Sequence, residues 1–131
     1  MKIDLILAPV LSYYYGVLTS NSSAFNRYNS PSVGQYYYDK IGISVSKDGL
    51  YEFASESRIG IVGYLYQSHF NYTNASLNLL VYSGNGISNQ FYFRYSLRSD
   101  RSYILIATTY SSNVTGSFII KTRGVSSVTF N

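Results

Sequence analysis

Hydrophobic and polar residues trade places along most of this chain with a period of two, and that period predicts β-strands. The clearest case is Ser102 to Gly124, SYILIATTYSSNVTGSFIIKTRG. Tyr103, Leu105, Ala107 and Thr109 share one face. Phe118, Ile120 and Thr122 share a face on the way back, leaving Ser117, Lys121 and Arg123 for the wet side. The intervening SSNVTG is rich in turn formers, and Gly116 can take a positive φ at no steric cost. The spacing predicts a hairpin, and a lone hairpin is marginal in water, so more sheet must lie beside it.

The remaining segments supply that sheet. Met1 to Leu11 alternates as a strand, with Ile3, Leu5 and Leu7 on one face and Lys2 and Asp4 on the other; Pro9 weakens its continuation. Tyr13 to Leu18 is a second strand. Thr19 to Gly34 is a polar loop with room for a short edge strand around Ala24 to Tyr28. Gln35 to Ser46 carries Tyr37, Ile41, Ile43 and Val45 on one face, with Asp39 as the exception. Lys47-Asp48-Gly49 has the composition of a tight hairpin turn, and Leu50 to Ser57 returns from it. Ile59 to Gln67 has Ile59, Ile61 and Leu65 on one side and Val62, Tyr64 and Tyr66 on the other. Leu77 to Tyr82 is apolar on both faces and reads as central. Beyond the Ser83 to Asn89 glycine turn, Gln90 to Leu97 points Phe91, Phe93, Tyr95 and Leu97 inward, and Val125 to Phe130 ends the chain as a short strand. Eight to ten short strands and no helical pattern predict an all-β fold. The preferred form is an antiparallel β-sandwich of jelly-roll-like or Greek-key layout, with a closed barrel as the alternative.

Composition narrows the function more than it names it. With 131 residues, 46% hydrophobic and 12% charged, the chain is long enough for one cored domain and too apolar for disorder. The natural division is residues 1–12 as an N-terminal strand or linker, able to pair with a neighbouring copy, and 13–131 as the sandwich domain. The net charge of +4 comes from scattered Lys and Arg, the densest group being Arg94, Arg98 and Arg101, which argues for a solvated face and against a nucleic-acid partner. Without cysteine there are no disulfides, thiol nucleophiles or Cys-based metal sites. Met1 to Val10 has a short apolar run that Asp4 interrupts, which is wrong for a signal peptide, and no run is long enough for a membrane helix. A secreted protein would therefore carry its signal outside this sequence, and membrane insertion is not expected.

Catalytic constellations are weak. The single histidine, His69, lies in a polar loop, and no Gly-x-Ser-x-Gly elbow is present. Glu52 and Glu56 share a strand face but read more simply as a solubilising edge than as a glycosidase pair. No catalytic, cofactor-binding or metal-binding residue is assigned, and no cofactor is expected. The stronger chemical signal is four sequons, at Asn21, Asn71, Asn74 and Asn113, all in predicted loops or turns; Asn29-Ser30-Pro31 fails at its third place. The sixteen tyrosines give a second signal. Tyr13, Tyr14 and Tyr15, with Tyr36, Tyr37 and Tyr38, must put rings on both faces of their strands. Outward rings, including Tyr92, either shield the sheet or form a platform for sugars or a neighbouring copy. Tyr13, Tyr14, Tyr15, Tyr36, Tyr38 and Tyr92 are thus interface candidates. Ile3, Leu5 and Leu7 join them, because a strand from Lys2 to Ala8 either completes its own sheet or adds to a neighbour's edge.

Five ordered segments carry a family resemblance: YYYDKIGISVSKDGLYEF, VGYLYQSHFN, SLNLLVYSGNG, YILIATTY and NVTGSFIIKTRG. Together they resemble the pre-peptidase C-terminal-like domain (PPC), and within it secreted tandem repeat modules of small invertebrates, from about Gly16 to Phe130. The resemblance implies a small extracellular, non-catalytic β-sandwich, appended to enzymes or strung in arrays. Some members bind calcium through aspartates in the turn after the "LnLL" strand. Here that turn, Val81 to Gly86, has no carboxylate, so the metal site is not carried over. The resulting expectation is a secreted, glycosylated, non-enzymatic module, structural or adhesive, whose partners are other copies or adjacent domains. Head-to-tail strand exchange would give a filament. The alternative is a carbohydrate-binding module accessory to an enzyme, with glycans as partners.

Overall fold

The computed structural model of the protein describes residues 8–28, 34–84 and 89–131. Ten strands follow in order: β1 (Val10–Leu18), β2 (Ser23–Phe25), β3 (Tyr36–Val45), β4 (Gly49–Glu56), β5 (Ile61–Gln67), β6 (Leu79–Ser83), β7 (Tyr92–Leu97), β8 (Tyr103–Thr109), β9 (Gly116–Gly124) and β10 (Val128–Phe130). They form two antiparallel sheets, one ordered β1-β9-β4-β7 and the other β10-β3-β8-β5-β6, with β2 also paired to β3. The fold is a β-sandwich, as the alternation predicts. Its layout is jelly-roll-like, and the pairings show why. β5 pairs with β6, β4 with β7, β3 with β8 and β1 with β9. The pairs nest, so the chain is one long double ribbon doubled back at β5–β6 and rolled so that its layers alternate between sheets.

This nesting corrects two hairpins. β8 and β9 do not pair; β8 sits in the larger sheet and β9 in the smaller. The alternation within each strand is as read: Tyr103, Leu105 and Ala107 are buried, and so are Phe118 and Ile120. They belong to the inner faces of the two sheets, and six connecting residues are ample to cross the ~10 Å between layers. Gly116 does take a positive φ, at 154°. β3 and β4 are likewise in different sheets. A type I′ hairpin turn needs positive φ at both central residues, and neither Asp48 nor Gly49 has it. A third correction concerns β6, which is an edge strand and not a central one. The strands buried on both faces are β5 and β8. β1 starts at Val10 and runs through Leu11 and Ser12 without a break; the expected strand residues Met1 to Leu7 lie outside the described residues.

The inner core joins Tyr51, Phe53, Phe93 and Phe118 of the smaller sheet to Ile41, Ile43, Leu65 and Leu105 of the larger. Phe53 and Phe93 are cross-strand partners with rings stacked at 5.1 Å. Tyr51 is buried at the end of the core, where its hydroxyl donates to the Lys47 carbonyl at 2.7 Å and lies 2.6 Å from Ser126 Oγ. Its ring lies so close to Gly124 that a Cβ there would be 2.2 Å from it.

A second apolar cluster lies on the outer face of the larger sheet, built from Phe25, Tyr36, Val62, Tyr64, Tyr66 and Ile106. Two loops roof it. Phe70, from the β5–β6 loop, meets Phe25, Tyr38 and Tyr66 at 5.6, 5.3 and 5.0 Å, each pair near edge-to-face. The Tyr66 hydroxyl donates to the Ala75 carbonyl at 2.6 Å. From the β2–β3 loop comes Arg27, only 6% exposed. Its guanidinium lies over the rings of Tyr36 and Tyr110 at 5.1 and 5.7 Å and donates to the Tyr64 hydroxyl at 2.7 Å and the Tyr110 carbonyl at 3.3 Å. Nε has no acceptor, and no carboxylate pairs with it among the described residues.

Candidate binding face

Among the described residues, no loop roofs the outer face of the smaller sheet. Strand register sets its side chains in rows. Leu11, Arg123, Glu52 and Arg94 lie abreast across β1, β9, β4 and β7; Tyr13, Lys121, Ala54 and Tyr92 form the next row, then Tyr15, Ile119 and Glu56. Leu11, Tyr13, Tyr15 and Val17 are 45, 47, 72 and 58% exposed, an apolar strip along β1. Tyr13 and Tyr15 stack at 6.5 Å. Polar contacts occupy the rest of the face. Tyr92 Oη donates to Glu52 Oε1 at 2.6 Å, and this bond is the main cause that holds its phenol above the ordinary tyrosine range. Arg123 Nε lies 3.7 Å from Glu52 Oε2. Beside them, Leu50, Arg94 and Val125 help line an open depression of about 350 Å³, which Ala8 and Pro9 also line.

The nine interface residues proposed from sequence divide accordingly. Tyr13, Tyr15 and Tyr92 are exposed on this face. Tyr36 is fully buried and Tyr38 is half-buried in the roofed cluster on the opposite side, so neither belongs to a surface platform. Tyr14 points inward. Its hydroxyl donates to Asp39 Oδ2 at 2.5 Å across the gap between the sheets. Burial first, and then Asp39, push this phenol up to about 12. The bond accounts for the one polar residue on the inner face of β3. Ile3, Leu5 and Leu7 lie outside the described residues.

All four sequon asparagines are exposed, and none is on a strand. Asn71 and Asn74 sit in the roofing loop. The backbone N–H and hydroxyl of Thr73 both donate to Asn71 Oδ1, at 3.0 and 2.6 Å, and Ser76 Oγ donates to Asn74 Oδ1 at 2.9 Å. Asn113 has φ 60° in the β8–β9 crossover and donates its N–H to the Gln35 carbonyl at the larger sheet. Asn21 lies in the turn after β1, beside a depression that Tyr38 and Lys40 of the larger sheet also line. Asn71 and Asn74 therefore lie over the roofed sheet and Asn113 in a crossover, while Asn21 shares its depression with Val17 at the end of the β1 strip.

The residues weighed for catalysis are dispersed. His69 is exposed in its loop. Glu52 and Glu56 are four residues apart on one strand, about 13 Å by strand rise, wider than a glycosidase pair. Arg98 lies beyond β7 and chelates Asp100 through Nε and Nη2 at 3.0 and 3.1 Å, so it does not extend an arginine patch with Arg94. No cluster of three His, Cys, Asp or Glu residues suited to a metal occurs among the described residues. The caged Arg27 was missed by sequence reasoning. Its only signal was an arginine in a loop whose flanks, Phe25 and Tyr28, are aromatic. The geometry thus defines an all-β, two-sheet module with one roofed and one bare face. No family model, curated protein or solved structure matches the chain.

Proposed function

We propose that the protein is a secreted, N-glycosylated, non-enzymatic module that serves as a structural or adhesive unit, meeting copies of itself or adjacent domains of a longer chain. The observation that carries this reading is the difference between the two outer faces. The larger sheet is covered by the protein's own loops, which carry Asn71 and Asn74. Among the described residues the smaller has no such cover and presents Leu11, Tyr13, Tyr15 and Val17. Contiguous apolar surface of this kind marks contact with another macromolecule. In this reading Lys2 to Ala8 of one copy adds to a neighbour's sheet, and repetition of that head-to-tail contact builds a filament. Imaging of the purified protein at high concentration tests it: fibres, or oligomers larger than a dimer, that disappear on deletion of residues 2–8 support the exchange. Monomeric particles at every concentration would overturn it. Intact mass before and after enzymatic removal of N-glycans tests the four sequons.

One observation favours a second reading, a carbohydrate-binding module. The stacked Tyr13 and Tyr15 and the anchored Tyr92 are aromatic rings on one open face, where sugar rings could stack. A polysaccharide ligand would then lose affinity in Tyr92→Ala while the protein stays monomeric.

A further inference from the structure

Among the described residues, β1 is the one sheet edge left without protection. The free side of β3 is capped by β2 and β10, each three residues long. β6 has five residues, and its pairing is broken by a register shift at Leu65/Tyr66. β7 has six residues and carries Arg94. Short length, irregularity and charge are how proteins blunt an edge. β1 has none of these. It is nine residues long, VLSYYYGVL, with no charge and no proline, and its register with β9 is unbroken from Val10 to Leu18. Nor is it loose: Ser12 Oγ accepts from the Val128 N–H at 3.0 Å, and Tyr14 is tied to Asp39, so the inner side of the strand is anchored to the opposite sheet.

The sequence of β1 is also close to a chemical palindrome about Tyr14. Reversed, it sets Tyr13 against Tyr15, Ser12 against Gly16, Leu11 against Val17 and Val10 against Leu18. We propose that β1 pairs with β1 of a second copy, antiparallel and centred on Tyr14. The two four-stranded sheets then become one continuous sheet across a two-fold axis. In this register each exposed side chain meets a partner of its own kind: Leu11 against Val17 of the twin, Tyr13 against Tyr15. The small Ser12 and Gly16 meet on the inner side. An isologous contact confronts a strand with its own image, and an uncharged strand meets no repulsion there. The proposal rests on the reading of the protein as a self-associating module and specifies one contact that does not use residues 2–8.

Paired substitutions read the register, because positions 13 and 15 are exposed and sit directly opposite each other across the axis; the same two positions are also neighbours within one copy, so each variant's monomer stability is measured beside its dimerisation. Wild-type protein is expected to sediment as a dimer. Tyr13→Lys with Tyr15→Lys sets like charges opposite each other and should weaken the dimer by about tenfold or more. Tyr13→Lys with Tyr15→Glu sets opposite charges across the axis and should restore it. Deletion of residues 2–8 should leave the dimer intact. Circular dichroism and thermal melting of each variant confirm that the fold survives. If the double-lysine variant stays as dimeric as wild type, or the Lys/Glu variant stays monomeric, the β1 contact is wrong while self-association stands. If wild type is monomeric to its solubility limit, both this contact and the assembling-module reading fall.

Discussion

Replacing Arg27 separates what its charge contributes from what its volume contributes. The guanidinium is buried, with two hydrogen bonds, two rings and no anion among the described residues. A charged hydrogen bond contributes about 1.5–3 kcal/mol and a desolvated cation–π contact about 2 kcal/mol. The 3.3 Å bond and the 5.7 Å ring fall at the weak ends of those ranges. Against them stands a desolvation cost of several kcal/mol, unrelieved by any carboxylate of the described residues, and an Nε–H with no acceptor among them. The opposing terms nearly cancel. Arg27→Met keeps most of the volume and drops both the charge and the orphaned donor. The Tyr64 hydroxyl keeps its bond to the Tyr28 carbonyl, at 2.5 Å. Stability should then stay within about 1 kcal/mol of wild type, or rise. Arg27→Lys retains the buried charge but loses the planar stacking and the forked donors, and should lose about 2–3 kcal/mol. Arg27→Ala leaves a cavity under the roof and should lose about 2–4 kcal/mol. Equilibrium unfolding in urea, followed by circular dichroism and tyrosine emission, gives the order. If Lys keeps the wild-type midpoint while Met loses more than about 2 kcal/mol, the charge is what secures the loop and the reasoning fails.

Three further outcomes follow from the core and its ends. Gly124→Ala should cost about 1–3 kcal/mol, because its Cβ would meet the ring of a Tyr51 held at its hydroxyl; the penalty should shrink in a Tyr51→Leu background, read as a double-mutant cycle in urea. Tyr14 titrates near 10 when unfolded and at about 12 when folded, so the unfolded chain sheds that proton first and stability falls as pH rises through this interval. After screening at this half-exposed site the share is at most about 1 kcal/mol, and Tyr14→Phe should remove it from the alkaline limb of the pH–stability profile while lowering stability at neutral pH. Asp48 accepts the Ser99 N–H at 2.6 Å, and this bond holds its carboxyl below the ordinary range. Its contribution is therefore present at neutral pH and lost as pH falls below the ordinary aspartate value, and hydrogen exchange at Ser99 should accelerate in Asp48→Ala.

Face assignments were legible in the sequence because burial leaves a period-two mark on each strand: Phe91, Phe93 and Leu97 are all inside, as the alternation of β7 requires. Neighbours were not legible. Alternation says which residues face a core, and a strand satisfies that equally beside another or opposite it. Ser102 to Gly124 is the case in point, since the same apolar positions serve a hairpin or two facing sheets. β6 misled for a related reason. Leu79 lies under the roofing loop while Leu80 and Val81 pack on the inner core, so an edge strand acquires two apolar faces. Tyr92 could be placed on a surface from its spacing, whereas the run Tyr13 to Tyr15 showed only that rings lie on both faces and not which of them point out. Tyr36 and Arg27 could not be placed, because the roof that buries them is built by loops with no periodicity to read.

The nested pairing has a consequence for how the protein emerges from a ribosome. β1 is made first, yet its neighbour β9 begins at Gly116, so its ladder stays empty until almost all of the chain has been synthesised. Apart from the three-residue β2–β3 contact, the innermost pair, β5 with β6, is the earliest that can close, and the outer layers must wait for successively later segments. During translation the uncharged β1 is thus the exposed strand with the longest interval before it is paired. If β1 pairs with its own image as proposed, that interval is when nascent chains could meet through it, before either had folded.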